Sequence, residues 1–539
     1  MKIIIKNIFI VLRRFGASSI LAVIGLAIAY CIFYMAVVQS FYDLRFDRNF
    51  EKADSIFLYS RITPTSIQMG GDFRVITNTV EPRECAERYP EIKNFCYLTI
   101  RNDKRFDITD EKTGKQRIIY ETFTSASIGL FDMFKLKVLH GDLKQAFTSQ
   151  YVMLTESTAK KMFGNEYPVG KQISYYDYIN VDQLIVATVA AVCADFPANC
   201  SLKNGVYQYQ PEIAHSQWGY TTYFEIDPSN RDKLVKKMND EQYMQKAEGK
   251  ENENWQYELT ALPKVHLWFP AKGEGNPVTV IALLSVGILL LVISYINFLN
   301  FSVAMAPVRA RNINIRKIFG ESLFMLKISV IMEAVFLSFI SFLLSIFLIQ
   351  FLNTGALKDF FIADLSITKN QGLALFAGVV SILSGFLAGI YPAFYTTAFN
   401  PAMALSGVFS LSSRNKWLKN ISTSLQFIAA IFLITVTLFV KFQYDFMRNK
   451  DWGIQTKNIL YVNTESIRDN IDSFMNELKQ NSNIVDITVS DNYPGRQEGM
   501  QSWGREFEDV AIMINIWYVK PDFFNLTKKS TSFGGGDVL

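Results

Sequence analysis

The sequence predicts an α-helical membrane bundle of five transmembrane helices, with an α+β domain exported from one side and a partial second one following it. Three observations lead there. Five apolar runs, roughly Gly16 to Phe41, Pro277 to Phe301, Met325 to Leu352, Gln371 to Tyr395 and Ile421 to Phe442, each reach the ~20 residues that cross a bilayer. Between the first two lies a long polar stretch, Asp43 to Asn276, in which helix and strand patterns mix. The formal net charge of +4 is small and localised at the ends of the runs, which argues for membrane topology and against a nucleic-acid partner.

Basic flanks orient the bundle. Lys2, Lys6, Arg13 and Arg14 precede the first run, which exceeds the about 7 to 15 apolar residues of a secretory signal core and so reads as an uncleaved anchor. The positive-inside rule makes 1–42 a cytoplasmic segment plus first helix and sends 43–276 outside. Residues 277–395 form the second to fourth helices, 396–420 a cytoplasmic connection marked by Arg414, Lys416 and Lys419, and 421–445 the fifth helix. A partial second exported domain occupies 446–526, and 527–539, polar and glycine-rich, reads as a disordered tail.

Within the first exported domain, Ile56 and Leu58 alternate like a strand, and TVEPRECAERYPEIKNFCY from Thr79 reads as a helix bounded by Pro82 and Pro90, followed by a strand. VMLTESTAKKMFG from Val152 reads as a strand, then a helix starting near Thr155 and stopped by Gly164. QLIVATVAAV from Gln183 is a buried strand. Isolated helices among short strands favour α+β over a barrel or sandwich. In the second domain, ILYVNTES and IVDITVSD read as strands flanking the amphipathic helix IDSFMNELKQ.

The segment Ala306 to Ser322, APVRARNINIRKIFGES, lies between the second and third runs. Arg309, Arg311, Arg316 and Lys317 place it on the cytoplasmic side. On a helical wheel Val308, Ile315, Ile318 and Phe319 gather on one side, Arg309 and Arg316 flank them, and Gly320 is placed to stop the helix. Two uses fit: an amphipathic helix that docks on a partner, or a solvated basic loop that only fixes topology. Glu333 is the charge well inside a run, either facing the bundle or reaching the interface. Ser381, Gly385 and Gly389 recur every four residues, a stripe that permits close helix packing, within one chain or across a dimer seam.

Enzymatic chemistry is not apparent. GNEYPVGKQ, Gly164 to Gln172, has five residues between its glycines and Gln172 where a phosphate loop needs Ser or Thr. His140, His215 and His266 lie far apart, so no sequence-local metal site exists. No metal and no cofactor are expected in this chain. Cys31 falls in the first run, while Cys85, Cys96, Cys193 and Cys200 fall in the exported domain, where two disulfides or reduced core thiols are both open.

These pieces resemble, in order and spacing, the permease subunits of MacB/FtsX-like ABC transporters in their long form with two exported domains. FDRNFEKADSIF from Phe46, FDMFKLKVLHGD, VMLTESTAKKMFGNEYPVGKQI, ADFPANCSL and LPKVHLW resemble a MacB-like periplasmic core domain. Arg309 to Gly320 resembles the family's coupling helix, YPAFYTTAFNPAMALSG its fourth-helix exit, and LQFIAAIFLI the start of its second half. Asn312 and Asn314 depart from the family's acidic residue and glycine. Long members continue to three more helices, so the resemblance implies a truncated product.

The resemblance implies a multi-pass protein of the bacterial inner membrane with its large domain in the periplasm. It implies a cytoplasmic ABC ATPase partner, which would hold the ATP and magnesium, docked through Arg309, Arg311, Ile315, Arg316, Lys317 and Gly320. Arg309 and Arg316 would supply charge-assisted contacts. A second permease copy or related permease, membrane lipid, and a periplasmic adaptor or envelope enzyme are the other expected partners. The work is export or mechanical action in the envelope; a non-transporting regulator of an envelope enzyme, or a membrane receptor, is the alternative.

Overall fold

The computed structural model describes residues 16–63, 76–109, 114, 116–148, 150–176, 183–212, 218–251, 253–269, 275–354, 361–398, 413–450, 458–462, 464, 467, 470–490, 501–507, 510–516, 518–520 and 522–527. The chain divides into two compact units. One comprises Met1–Asp47, His266–Trp268 and Gly273–Phe439; the other comprises Arg48–Val265, Phe269–Lys272 and Val440–Leu539.

The chain enters through helix α1 (Gly16–Leu44). The second unit then opens with β1 (Ile56–Ile62), β2 (Ile76–Asn78), α2 (Glu81–Arg88), β3 (Ile92–Thr109), β4 (Gln116–Ala126), α3 (Gly129–Phe134) and β5 (Val138–Gly141). It continues with β6 (Tyr151–Thr155), α4 (Glu156–Phe163), β7 (Gln172–Tyr176), β8 (Leu184–Cys193), β9 (Val206–Tyr209), β10 (Trp218–Ile226), α5 (Arg231–Glu241) and β11 (Gln256–Ala261). These eleven strands form one mixed sheet in the order β11-β1-β10-β3-β4-β9-β6-β8-β5, with β2 on β10 and β7 bridging β3 and β8. The pairs β4/β9 and β6/β8 are parallel and the others antiparallel.

Local chemistry explains the helix ends. Pro82 sits in the first turn of α2, where a missing N–H is harmless. Thr155 occupies the N-cap of α4, but its hydroxyl turns to Thr158, and Asp195 instead accepts from the Ser157 N–H at 2.9 Å. Gly164 ends α4 at φ 64°, a left-handed value that glycine adopts without a Cβ clash.

One finding was not legible in the strand patterns. Because β7 pairs with both β8 and β3, the strands β3, β4, β9, β6, β8 and β7 close a circuit, a barrel-like closure inside the expected α+β fold. Closure rests on Asp107 opposite Ser174, whose hydroxyl donates to the Asp107 carbonyl at 3.1 Å across 67 residues of sequence. Phe106, Ile108, Phe123, Val152, Leu154, Ile173, Ala187 and Val206 form one buried core from these strands. A second core, with Tyr59, Tyr89, Phe224, Leu234 and Leu259, joins α2 and α5 to β1, β10 and β11. All five cysteines are buried thiols; Cys96, Cys193 and Cys200 belong to one apolar cluster, and burial pushes the Cys193 thiol up to about 12. The disulfide alternative is not what the structure holds.

The first unit resumes after α6 (Leu262–Trp268) with α7 (Pro277–Ala304), α8 (Ala306–Ile318), α9 (Leu323–Thr354) and α10 (Gln371–Thr397). Helix α11 (Ser413–Asn449) follows. Among the described residues five helices are long and apolar enough to cross a membrane: Ile20–Leu44, Pro277–Ala304, Leu323–Thr354, Gln371–Thr397 and Thr423–Asn449. They coincide with the five runs. Helix α10 packs along α9, and α1 packs on α7 and α9, around Leu26, Tyr30, Tyr34, Phe298, Leu337, Phe342 and Ala388.

In the 446–526 region the expected helix forms as α12 (Ile471–Lys479), whereas among the described residues the expected strands do not. Residues 458–462 are not extended into a ladder, and IVDITVSD contributes only the isolated bridge Ser490 to Val519. A hairpin of β12 (Gln501–Phe507) and β13 (Val510–Ile516) forms instead. A strand needs a neighbour for its N–H and C=O groups, and a fitting side-chain pattern does not supply one. The basic residues before Gly16, most of the 396–420 connection and residues 528–539 lie outside the described residues.

Candidate functional site: the basic helix and its anchor in the bundle

Helix α8 is a short amphipathic connector between two membrane spans. Its inner side is built from Ala310 and Ile313, and Ile313 packs with Leu326, Val330 and Ala393 from α9 and α10. Its end is a glycine stop. The Gly320 N–H donates to the Lys317 carbonyl and the Glu321 N–H to the Arg316 carbonyl, both at 3.1 Å, and Gly320 takes φ 87°. This is the paired closure that satisfies carbonyls at a helix end. Ser322 then starts α9, its hydroxyl accepting from the Met325 N–H at 3.4 Å.

Arg309 turns inward, against the expectation of a flanking charge open to a partner. It is 6% exposed, as is Glu333. Its Nη2 donates to Glu333 Oε1 at 2.8 Å, and its Nη1 donates to the Ser302 Oγ at 2.9 Å and carbonyl at 3.1 Å. Two residues singled out separately thus meet, 24 apart in sequence. Glu333 lies ten residues into α9, roughly 15 Å along its axis at 1.5 Å per residue. Ser302 sits in the last turn of α7, where unpaired carbonyls favour a cation. The site is not saturated: among the described residues Arg309 Nε and the Asn314 Oδ1 are buried without a partner. Asn314 donates instead to the Ala310 carbonyl at 2.8 Å.

Arg316 is also engaged within the chain. Its guanidinium makes a two-pronged pair with Glu321 and reaches Ser329 Oγ at 3.4 Å. Arg316 stays about a quarter exposed. The outward apolar group comprises Ile315, Ile318 and Phe319, the last 86% exposed, followed by Leu323 and Phe324. The Val308 and Arg311 side chains lie outside the described residues. Lys327 sits 4.0 Å over the Phe394 ring, tying α9 to α10 nearby.

The small-residue stripe is occupied by the chain's own α9. A Cβ on Gly385 would lie 2.7 Å from Val335 Cα and 2.8 Å from Ser338 Cβ, and one on Gly389 would lie 2.8 Å from Ile331 Cα. Ser338 Oγ donates to the Ser381 carbonyl at 2.7 Å and meets the Tyr30 hydroxyl at 2.7 Å, joining α1, α9 and α10. Sequence reasoning missed Ser302, Ser338 and Tyr30, because serines and tyrosines in a span carry no signal until a partner helix is placed beside them.

His266 and His140 make separate contacts, and His215 lies outside the described residues. His266 stacks on Phe46 with centroids 3.8 Å apart and bonds Asp43 at 3.2 Å, and His140 meets the Tyr167 ring. Among the described residues no cluster of three His, Cys, Asp or Glu side chains could hold a metal.

Fold and site together define a multi-pass membrane protein with a mixed α+β domain between its first and second spans. Residues 19–241 match the family model of the MacB-like periplasmic core domain. Among solved structures, a domain of a putative permease protein from Porphyromonas gingivalis is similar at 17% identity, over 39% of this chain and 91% of that one, with a TM-score of 0.33. The periplasmic region of MacB from Actinobacillus actinomycetemcomitans is similar at 14% identity, over 39% and 90%, with a TM-score of 0.26. The extracellular domain of the noncanonic ABC-type transporter YknZ from Gram-positive bacteria is similar at 13%, over 38% and 98%, with a TM-score of 0.27. No curated protein matches the chain.

Proposed function

We propose that this chain is the permease subunit of an ABC-type transporter in the bacterial inner membrane, driven by a separate cytoplasmic ATPase that docks on α8. The permease supplies no hydrolysis of its own; ATP and magnesium belong to the partner. Its large domain lies in the periplasm, and a second permease copy or related permease completes the assembly. The observation that carries this reading is the anchorage of α8. A helix tied by its chain ends to α7 and α9, and by Arg309 to Ser302 and Glu333, cannot be displaced without displacing both spans, because packed helices transmit shifts instead of absorbing them. The exposed group Ile315, Ile318 and Phe319 is of the kind that fills a partner's groove.

Purification of the full chain from its native membrane, with partners identified by mass spectrometry, tests the reading. A cytoplasmic ABC ATPase should co-purify and be lost on Phe319→Asp. Retention of that ATPase by Phe319→Asp would move the docking face elsewhere, and its absence from the native chain would remove the proposal. Orientation is tested by labelling single cysteines placed at Ser322 and Ser201, which should respond from opposite sides. Labelling of both from the same side would overturn the topology.

A further inference from the structure

The reading of α8 as a docking helix treats its arginines as charges offered to a partner, and the geometry of Arg309 excludes it from that role. We infer that Arg309 and Glu333 are positioning residues, a buried charge latch that fixes α8 to α9 and to the end of α7, and that the latch, not the docking face, decides whether a push on α8 reaches the membrane spans. This rests on the reading of α8 as the receiving surface.

Inward packing of α8 relies on small apolar contacts, Ala310 and Ile313, whereas Ile315, Ile318 and Phe319 face out. Without the ion pair, a load on the outer end could roll the helix about its ends. With it, rolling separates two opposite charges that are both nearly sealed from solvent, and neither has water to replace the lost partner. Arg309 donates to Glu333 Oε1 and to the Ser302 hydroxyl and carbonyl, so one guanidinium ties α8 to both spans. Loss of either partner therefore frees α8 and strands the other charge.

The test uses the full chain in nanodiscs of phosphatidylethanolamine and phosphatidylglycerol, as wild type, Arg309→Ala, Glu333→Gln, and the exchanged pair Arg309→Glu with Glu333→Arg. Hydrogen exchange of α8 amides reads the latch without any ATPase. Each single variant should speed exchange in 310–318 at least tenfold while α10 amides stay at wild-type rates, and the exchanged pair should restore protection. Unchanged α8 exchange in both single variants, or no recovery in the exchanged pair, overturns the latch. General loosening that includes α10 also counts against it, since that is loss of fold and not of position. With the co-purified ATPase added, the single variants should bind it as the wild type does but lose at least tenfold of any change in hydrolysis that the permease causes; equal loss of binding and hydrolysis would overturn the positioning role. If the wild-type chain binds no ATPase, the docking reading fails while the exchange result still stands.

Discussion

The two units solve burial in opposite ways. In the α+β domain Ile56, Leu58, Val152 and Leu154 are sealed inside, as expected where removing apolar surface from water drives folding. In the bundle Phe347, Phe351 and Leu375 face outward, while Ser338, Ser341, Ser345 and Ser381 are completely buried. Lipid removes the hydrophobic drive between helices, so close approach of small residues and short hydrogen bonds take its place. The same leucine therefore means core in one unit and surface in the other. Each unit nevertheless keeps a buried Arg–Glu pair, Arg61 to Glu81 at 2.9 Å and Arg309 to Glu333 at 2.8 Å.

The largest expected effect tests that shared feature in the α+β domain. Arg61→Ala leaves Glu81 buried without a counter-charge, its carboxylate held among the described residues by the Tyr59 hydroxyl alone, and should destabilise the domain by about 3–5 kcal/mol. Denaturant unfolding of the full chain can be followed by Trp255 fluorescence, since the Arg61 guanidinium lies 4.5 Å over the Trp255 ring. A loss below about 1 kcal/mol, the scale of an exposed pair, would show that this pair carries little.

A matched pair of truncations sharpens the contrast itself. Leu154→Ala should cost about 2–5 kcal/mol by opening a cavity, whereas Phe347→Ala, on the outer face of α9, should stay within about 0.5 kcal/mol. Thermal stability by protease resistance in nanodiscs compares them directly, and equal losses would break the inside-out description of the bundle.

Smaller still is the effect of adding one methyl group to the stripe. Gly385→Ala drives a Cβ into the α9 backbone at 2.7 Å and should cost about 1–3 kcal/mol as overpacking, read as a lowered melting temperature of the bundle. A neutral result would mean that α9 and α10 separate easily.

The smallest expected effect concerns pH. Burial pushes the Glu81 carboxyl above the ordinary glutamate range despite the attraction of Arg61. Between the ordinary and the raised pKa the folded domain therefore holds a proton that the unfolded chain releases. Stability from this group is fully present below the ordinary glutamate pKa and is lost as pH rises through the raised one. Glu81→Gln should flatten that part of the stability–pH curve, and an unchanged slope would assign it to other groups.

By itself the sequence determined the five spans, because about 20 apolar residues are a length requirement that no neighbour alters. It likewise determined the local start at Pro82 and the stops at Gly164 and Gly320, which depend on one residue's dihedral or missing N–H, whereas the start at Thr155 is completed by Asp195 from outside the helix. Only tertiary structure decided the rest. Closure of the strand circuit needs Ser174 beside Asp107, and the ILYVNTES pattern, with a strand's side chains, is not in a strand at its described residues 459–462. The four domain cysteines were open to pairing until packing sealed each as a thiol. Arg309 is the clearest case: a helical wheel assigns it an angle around α8, but whether that angle meets solvent, a partner or Glu333 depends on where α9 lies, and contact between residues distant in sequence is set by packing, which local pattern does not encode.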